Sequence, residues 1–275
     1  MTFHKQISSA LGKKLSEKQA DALPRGYSGV GDILVLRLKK ELMGKRKEIG
    51  AAVLKLLPQF RTVVLEKGIN GTTRKPRMEV LSGKKSLETV HREHGCVFKL
   101  DLSKAMWSGG NKGERARLAG MIKPNEKVVD MFAGIGYWTL PVAKKARQVT
   151  AIDVNPAAIA MLKENLKLNR LSHKVTVLKG DCRDISEELA GTADRVISGW
   201  LDDSLVFFPS ALKMAKKGGI IHYHEALPID QVEARTEELK DVASAYGRAL
   251  KVLDVQHVKS MSPSKQHLVF DLKVC

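Results

Sequence analysis

The sequence predicts an α/β fold, with a mostly parallel sheet in the second half of the chain and a small α+β domain before it. Residues 127–156 show the pattern of a βαβ unit: strand, glycine turn, helix, strand and terminal acidic residue. Short apolar runs and amphipathic stretches then alternate as far as residue 228, as in an α/β domain. Two further apolar runs, residues 249–258 and 267–274, predict a closing pair of strands.

Composition limits the functional classes. The 275 residues are 43% apolar, which suffices for one large or two moderate domains. The net charge of +17 predicts a polyanionic partner, most often nucleic acid, with surface lysines that serve stability as the alternative. The spacing of Cys96, Cys182 and Cys275 fits neither a metal site nor a disulfide framework, which favours a reducing cytoplasm. We expect no membrane span, because no apolar run approaches about 18 residues, and no signal peptide, because residues 1–24 contain no signal-peptide core.

Residues 1–27 are predicted as a basic, helix-prone arm, and residues 28–105 as the small α+β domain. In the arm, Ile7, Leu11 and Leu15 recur every four residues and form a stripe that can dock on the body. The predicted elements of the domain are strands at 32–38, 61–65, 77–81 and 97–102, a helix at 45–57 and a turn-rich loop at 67–72. A basic cluster near its loops predicts a phosphate-contacting face, with solvated loops as the alternative; it comprises Arg74, Lys75, Arg77, Lys84 and Lys85.

The glycine turn at residues 130–136, DMFAGIG, generates the ligand prediction. A glycine lets the backbone approach a ligand, because no Cβ is in the way. Asp153 follows about 20 positions later at the tip of the second strand, where a carboxylate accepts hydrogen bonds from both ribose hydroxyls. We therefore expect this unit to bind an adenosine, with a ligand-free βαβ unit as the alternative.

The turn does not fit two common nucleotide-binding motifs. Tyr137, Trp138 and Thr139 stand where a dinucleotide fingerprint needs a small residue, and no P-loop Lys-Ser or Lys-Thr follows the glycines. The form Asp-x-Phe-x-Gly-x-Gly with the later Asp153 resembles the class I methyltransferases, which bind S-adenosylmethionine. This resemblance implies a Rossmann-like, seven-stranded, mostly parallel sheet, which we assign to residues 106–275.

The segment at residues 106–117, MWSGGNKGERAR, precedes the first strand of that sheet and is expected to lie over the cofactor pocket. Ser108 offers a hydroxyl, and the guanidinium of Arg115 pairs well with the carboxylate of the cofactor's amino acid end. A glycine-rich hinge with a surface arginine is the alternative. A helix is predicted at 114–121.

Later elements are predicted from the same patterns: helices at 137–146, 157–168, 207–216 and 231–245, and strands at 148–152, 174–178, 193–198 and 219–224. Gly218 and Gly219 are predicted to stop the helix before them. In this fold the loop after the third strand passes the adenine. Asp181 can accept a hydrogen bond from the exocyclic amine, and the backbone amide of Cys182 can donate one to a ring nitrogen. Asp184 or Ser186 is expected to cap the next helix, although Asp181 is an alternative cap.

The loop after the fourth strand, Ser198-Gly199-Trp200, lacks the Asn/Asp-Pro-Pro-Tyr motif with which many amino-group methyltransferases hold their target nitrogen. The machinery for amine methylation is therefore predicted to be absent. Trp200 can stack on a base, a contact worth about 1–3 kcal/mol, or can pack between sheet and helix. His222 and His224 face one side of the fifth strand, but no third ligand has metal-binding spacing, so no metal is expected.

Most of residues 88–228 resemble one family, which holds the tRNA guanine-37 N1-methyltransferases and the wybutosine-synthesising aminocarboxypropyltransferases. The stretches are VHREHGCVFKLDLSKAMWSGGNKGER, VVDMFAGIGYWTLPVA, GDCRD and RVISGWLDDSLVFFPSALKMAKKGGIIHYHE. The methyltransferases carry Asn-Leu-Pro after the fourth strand, and the aminocarboxypropyltransferases carry Met-Gly-Tyr-like residues. Ser198-Gly199-Trp200 is similar to the second form, although Ser replaces Met and Trp replaces Tyr.

The resemblance implies transfer of the 3-amino-3-carboxypropyl group of S-adenosylmethionine to 4-demethylwyosine at position 37 of tRNA(Phe), in the anticodon loop. It places Ser108 and Arg115 at the cofactor's tail or sugar side, Asp153 at the ribose, and Asp181 with the Cys182 amide at the adenine. It identifies no catalytic residue, and the sequence indicates no obligate protein partner. A guanine-37 N1-methyltransferase and a non-catalytic tRNA-binding protein are the alternatives.

Overall fold

The structure is a computed structural model that describes residues 1–71 and 75–275. The chain divides into two compact units. The first contains Met1–Glu93 and Val97–Gly109, and the second contains His94–Cys96 and Gly110–Cys275. Within the described residues, no helix is long and apolar enough to cross a membrane.

The first unit packs helices against a mixed sheet. Its helices are α1 (Phe3–Leu11), α2 (Glu17–Ala22) and α3 (Arg46–Leu56), with 3-10 turns at Gly12–Lys14 and Lys40–Lys45. Its strands are β1 (Ser28–Val30), β2 (Ile33–Leu36), β3 (Thr62–Asn70), β4 (Lys75–Gly83), β5 (Glu88–Glu93) and β6 (Cys96–Asp101). Strands β1-β2-β3-β4 form one sheet, in which β2 and β3 are parallel, and β5 pairs with β6. Ile7 and Leu11 are buried in the core with Leu15 packed against it, which confirms the predicted apolar stripe of residues 1–27.

Two predictions for this unit were wrong. Strand β3 continues through most of the predicted loop at 67–72, because Gly68 lies in a β-bulge where the register with β4 shifts between Glu66 and Ile69. Thr72 of that loop and Arg74 of the basic cluster lie outside the described residues. Strand β5 was not predicted, because it buries Thr89 and Glu93 and therefore shows no alternation of apolar and polar residues.

The second unit is an α/β sandwich around a long sheet. Its strands are β7 (Lys127–Asp130), β8 (Gln148–Asp153), β9 (Val175–Lys179), β10 (Ala193–Ser198), β11 (Ala215–Leu227), β12 (Leu250–Ser260) and β13 (Gln266–Val274). Its helices are α4 (Lys112–Met121), α5 (Thr139–Ala143), α6 (Pro156–Leu168), α7 (Cys182–Ile185), α8 (Phe208–Met214) and α9 (Val232–Ala245). Across the described chain, this sheet has seven strands in the order β12-β13-β11-β10-β7-β8-β9, and only β13 is antiparallel to the others. The predicted seven-stranded, mostly parallel fold is confirmed.

Some boundaries differ from the prediction. The helix after the glycine turn is the short α5, rather than residues 137–146. Gly218 and Gly219 do not stop a helix, because α8 ends at Met214 and β11 runs through both glycines. Gly218 has a φ of +79°, and the pairing of β10 with β11 shifts between Ala193 and Arg195. The glycines therefore accommodate an irregular strand rather than a helix end.

A chain of buried charged groups lies on one face of this sheet. Asp271 of β13 accepts hydrogen bonds from Arg117 Nη1 at 2.6 Å and from His222 Nδ1 at 2.6 Å. Arg117 also donates from Nη2 and Nε to the carboxylate of Glu114, at 2.6 and 2.7 Å. On the other side, His222 Nε2 lies 2.7 Å from Arg195 Nη1. The Arg195 guanidinium then donates to Glu126 at 2.9 and 3.1 Å, which completes a chain of alternating partners.

This chain fixes the protonation of its members. His222 donates from Nδ1 to Asp271 and accepts from Arg195 at Nε2, so the neutral imidazole satisfies both contacts. Burial, together with the charges of Arg195 and Arg117, lowers the pKa of His222. Burial would raise the pKa of Asp271, but the hydrogen bonds from His222 and Arg117 outweigh it and hold that pKa well below its usual range. The chain therefore holds its charges while His222 stays neutral, with its one proton on Nδ1.

A second buried pair joins β11 to β13, where His224 Nδ1 lies 3.0 Å from His267 Nε2. Both side chains are buried, and the ring of Trp138 packs on His224 at 5.1 Å between centroids. Burial lowers the pKa of His267 to about 4, with the charges of Lys259 and His257 acting in the same direction. The pKa of His224 is also lowered well below its usual range, mainly by burial.

These histidines predict that the protein loses stability in mild acid. Their pKa values are depressed in the folded state, so their stabilising contribution is present above about pH 6.5 and is lost as the pH falls toward 4. Between pH 7 and 5, we expect His267 alone to remove on the order of 1–2 kcal/mol from the free energy of unfolding. Urea denaturation at both pH values should show a smaller loss for His267→Gln than for the unsubstituted protein. The exposed His173→Gln is the control; an equal pH dependence in both variants would contradict the assignment.

Candidate cofactor site

The glycine turn and the end of β8 are joined by the Asp153 carboxylate. Its Oδ2 accepts a hydrogen bond from Gly134 N at 2.7 Å, and its Oδ1 accepts one from Asn155 N at 2.8 Å. Gly134 has a φ of +56°, and a Cβ there would lie 2.5 Å from the Tyr137 ring, so only glycine fits. Burial raises the pKa of Asp153, although both backbone hydrogen bonds favour the carboxylate. The predicted ribose acceptor is therefore held rigidly beside the turn.

A second carboxylate, Asp130, lies at the end of β7 and is fully buried. Its Oδ2 accepts from Thr139 Oγ1 at 2.7 Å, and its Oδ1 accepts from Phe132 N at 3.3 Å. Burial raises its pKa to about 7, and the charge of Asp153 adds to the effect. The sequence predicts Asp130 in the turn but indicates no role for it. An acid and a threonine nine positions apart, at the two ends of a glycine turn, were the available signal.

Asp181 caps the short helix α7. Its Oδ1 accepts from Arg183 N at 2.9 Å, and its Oδ2 accepts from Arg183 Nη2 at 2.6 Å. The prediction that Asp184 or Ser186 caps this helix was wrong, because the Ser186 hydroxyl donates instead to the carbonyl of Arg183. The carboxylate of Asp181 is thus positioned by its own loop.

Cys182 is buried and belongs to the apolar core of the second unit. Burial raises the pKa of this thiol to about 12, so it stays protonated. The thiol therefore offers no thiolate to a ligand, and the role of the Cys182 backbone amide at the adenine stays a prediction.

The two residues assigned to the cofactor's tail belong to different units. Arg115 lies on α4 and is only 1% exposed, so it is not the surface arginine of the hinge alternative. Ser108 is half-buried near the end of the first unit, next to Trp107, whose ring packs on His91 and Phe98 at 4.5 and 5.0 Å between centroids. Their roles at the tail stay predictions.

An aromatic cluster, which we define as Phe132, Trp200 and Phe207, lies where β7 and β10 end. The Trp200 ring lies 5.4 Å from Phe132 and 6.0 Å from Phe207 between centroids, and all three residues are half-buried. Arg183 lies over the Phe207 ring at 5.2 Å. Trp200 thus packs within the protein while part of it stays accessible. The sequence predicts a stacking or packing role for Trp200, whereas its contacts with Phe132 and Phe207 emerge from the structure.

Val154 provides a further surface that the sequence analysis missed. It follows Asp153 directly and is 48% exposed, which is unusual for a valine beside a buried strand. A flat apolar ring held near Asp153 can cover it. An apolar residue immediately after a strand-ending acid was the signal in the sequence.

These residues converge because β7, β8, β9 and β10 are parallel, and the side chains in question follow the strands' carboxyl ends. Ligands of such sheets bind in the crevice outside the carboxyl ends. The arrangement offers the Asp153 carboxylate as an acceptor for a ribose, and the helix-capping Asp181 with the backbone amide of Cys182 for a base. The aromatic cluster is the accessible ring surface among these loops. In the part of the chain that the structure describes, no group of three His, Cys, Asp or Glu side chains is placed to hold a metal ion.

The strand order, the antiparallel β13 and the glycine turn facing Asp153 define a class I methyltransferase fold. The chain belongs to the TRM5/TYW2 family: the TRM5/TYW2 methyltransferase domain matches residues 89–253, and the TYW2 N-terminal domain matches residues 7–86.

Three comparisons illustrate the similarity. The chain is 37% identical to the tRNA(Phe) (4-demethylwyosine(37)-C(7)) aminocarboxypropyltransferase of Pyrococcus horikoshii, over 98% of this chain and 96% of that protein. It is 33% identical to the tRNA (guanine(37)-N(1))-methyltransferase Trm5b of Pyrococcus abyssi, over 92% of this chain and 76% of that protein. The crystal structure of P. horikoshii TYW2 in complex with MeSAdo matches with a TM-score of 0.83 and 34% identity, over 99% of each chain.

Proposed function

We propose that this protein transfers the 3-amino-3-carboxypropyl group of S-adenosylmethionine to 4-demethylwyosine at position 37 of tRNA(Phe). The observation that carries the proposal is the extent of the similarity. The chain matches a TYW2 N-terminal domain and 96% of an aminocarboxypropyltransferase, but only 76% of the related Trm5b methyltransferase. The loop Ser198-Gly199-Trp200 points in the same direction, because it has no side chain suited to hold a target nitrogen.

S-adenosylmethionine supplies a sulfonium that makes all three attached carbons electrophilic. In the proposed reaction, the bond from sulfur to the aminocarboxypropyl carbon breaks and a carbon–carbon bond to the base forms. Methylthioadenosine leaves, and the ring carbon of the base loses its proton. The choice between carbons depends on placement, because reacting atoms must be aligned at about 3–3.5 Å. The protein's task is therefore to hold the cofactor and the base in one orientation.

Each predicted residue has a place in that task. Asp153, already oriented by Gly134 N and Asn155 N, accepts the ribose hydroxyls through its remaining lone pairs. Asp181 and the backbone amide of Cys182 face the adenine edge. Arg115 holds the amino acid tail, whose carboxylate suits a guanidinium that is shielded from water, and the role of Ser108 stays the prediction made from the sequence.

The acceptor base needs an accessible aromatic surface, which the cluster of Phe132, Trp200 and Phe207 offers. Base stacking on such rings is worth about 1–3 kcal/mol per base. The net charge of +17 supports a polyanionic partner, here the anticodon loop of the tRNA. The nucleotide must leave its stack to reach the cluster. We place the reaction in the cytoplasm, without an obligate protein partner.

Isotope transfer tests the proposal against its closest alternative. We expect label in the carboxypropyl carbons of S-adenosylmethionine to reach tRNA(Phe) that carries 4-demethylwyosine, and label in the methyl group to stay in the released nucleoside. Transfer of the methyl label to tRNA with guanosine at position 37 would instead support a guanine-37 N1-methyltransferase. Binding of tRNA without transfer of either label would indicate a non-catalytic protein.

Two substitutions test the site by comparing S-adenosylmethionine with methylthioadenosine, which lacks the amino acid tail. Asp153→Ala should weaken binding of both ligands by a similar ~1–3 kcal/mol, because both contain the ribose. Arg115→Lys should weaken S-adenosylmethionine much more than methylthioadenosine, because a lysine cannot pair with a carboxylate in bidentate fashion.

Isothermal titration calorimetry provides both affinities, and the exposed Asp184→Ala in the neighbouring loop is the matched control. Unchanged binding in Asp153→Ala would refute the ribose assignment. An equal loss for both ligands in Arg115→Lys would refute the tail assignment.

A further inference from the structure

The β12–β13 hairpin brings a basic turn to the end of the sheet where the parallel strands have their carboxyl ends and where the cofactor is proposed to bind. Strand β12 is antiparallel to β13, which is antiparallel to β11, so β12 runs parallel to β11, β10 and β7. Its last residue, Ser260, therefore lies at the same end of the sheet as the carboxyl ends of those strands. The hairpin tip, which we define as residues 259–265, is thus on the side of the sheet where the acceptor base is proposed to bind.

The hairpin tip is positively charged and ordered. Residues 255–270 contain Lys259, Lys265 and two histidines but no Asp or Glu. Met261 N and Ser262 N donate to the carbonyl of Lys265 at 2.8 and 3.1 Å, and Lys265 N donates to Ser262 Oγ at 3.1 Å. These bonds fix the turn, and Lys265 is exposed on it. An exposed cation on a closed turn, beside serine hydroxyls, has the chemistry of a phosphate contact.

The side chain of Lys259 packs against Gly110. A Cβ on Gly110 would lie 2.8 Å from Lys259 Cδ, so the glycine leaves room for the lysine stem. Gly110 belongs to the glycine-rich segment just before α4, which carries Arg115. The Lys259 side chain is half-buried and lies along this segment, so its ammonium group has a restricted position at the edge of the sheet.

We propose that the hairpin tip binds phosphate groups of the tRNA backbone next to the target nucleotide. The inference rests on the proposed function, because it requires a tRNA at the carboxyl ends of the parallel strands. Strand β12 is three strand positions from β10, which is about 14 Å at a spacing of about 4.8 Å. This distance corresponds to a few nucleotides, so an RNA strand that runs from the aromatic cluster toward β12 reaches the hairpin tip.

The same hairpin supplies a matched control. Lys251 and Lys273 are paired across β12 and β13 at the other end of the hairpin, away from its tip, and both are exposed. The test variant Lys259→Gln/Lys265→Gln and the control variant Lys251→Gln/Lys273→Gln each remove two positive charges from one hairpin. They differ in which end of the hairpin loses the charge.

The experiment measures the affinity of each full-length variant for tRNA(Phe) over a range of salt concentrations, and its affinity for S-adenosylmethionine. In the test variant, we expect at least a severalfold loss of tRNA affinity. The slope of log K against log salt should become shallower by about 1.4 for single-stranded contacts and about 1.8 for duplex contacts. The affinity for S-adenosylmethionine should be unchanged in both variants, and the control should keep most of its tRNA affinity.

Three results would overturn the inference: equal losses of tRNA affinity in both variants, an unchanged salt slope in the test variant, or a parallel loss of S-adenosylmethionine affinity. Failure of the proposed function is distinguishable, because it shows as no transfer of carboxypropyl label by the unsubstituted protein. In that case, the salt slopes still decide whether the hairpin tip binds RNA.

Discussion

The buried charge chain from Glu114 to Glu126 is the constraint on which the second unit depends. Helix α4 presents few apolar side chains to the core, and Glu114, Arg115 and Leu118 are the buried ones within its described residues. Its position is therefore set by Arg117, which reaches Asp271 on β13. A buried charge that loses its partner costs about 3–5 kcal/mol, so this contact has little freedom to shift. The geometry of Arg115, two residues away on the same helix, follows from it.

The residues proposed to bind the cofactor and the base come together because of strand direction rather than proximity in sequence. Asp153 ends β8, Asp181 follows β9 and Trp200 follows β10, and the parallel arrangement brings all three to the carboxyl ends of the strands. The bond between Asp153 and Gly134 then orients the acid before any ligand arrives. Because β13 is antiparallel to both β11 and β12, strand β12 runs parallel to β11. The hairpin tip after β12 therefore lies at the same carboxyl ends. In the proposal, one sheet thus serves the cofactor, the base and the RNA backbone.

The local patterns were sufficient to predict the βαβ unit and the place of Asp153, because a strand-ending acid after a glycine turn has few possible positions. Glycine was ambiguous at Gly68 and Gly218, since it permits both a turn and a bulge, and only the register of the neighbouring strand decides. The cap of α7 was misassigned because several acceptors compete within one turn. The Arg117–Asp271 pair spans 154 residues, and no local signal reports such a contact. The aromatic neighbours of Trp200 were missed for the same reason.

The proposed reaction directs the aminocarboxypropyl carbon, and not the methyl group, at its acceptor. The nucleoside by-product reports this choice directly, because each broken bond leaves a different molecule. Purified protein, S-adenosylmethionine and tRNA(Phe) carrying 4-demethylwyosine can be incubated together and the by-products quantified by liquid chromatography and mass spectrometry. We expect methylthioadenosine in an amount equal to the modified tRNA. Formation of S-adenosylhomocysteine in that amount would contradict it.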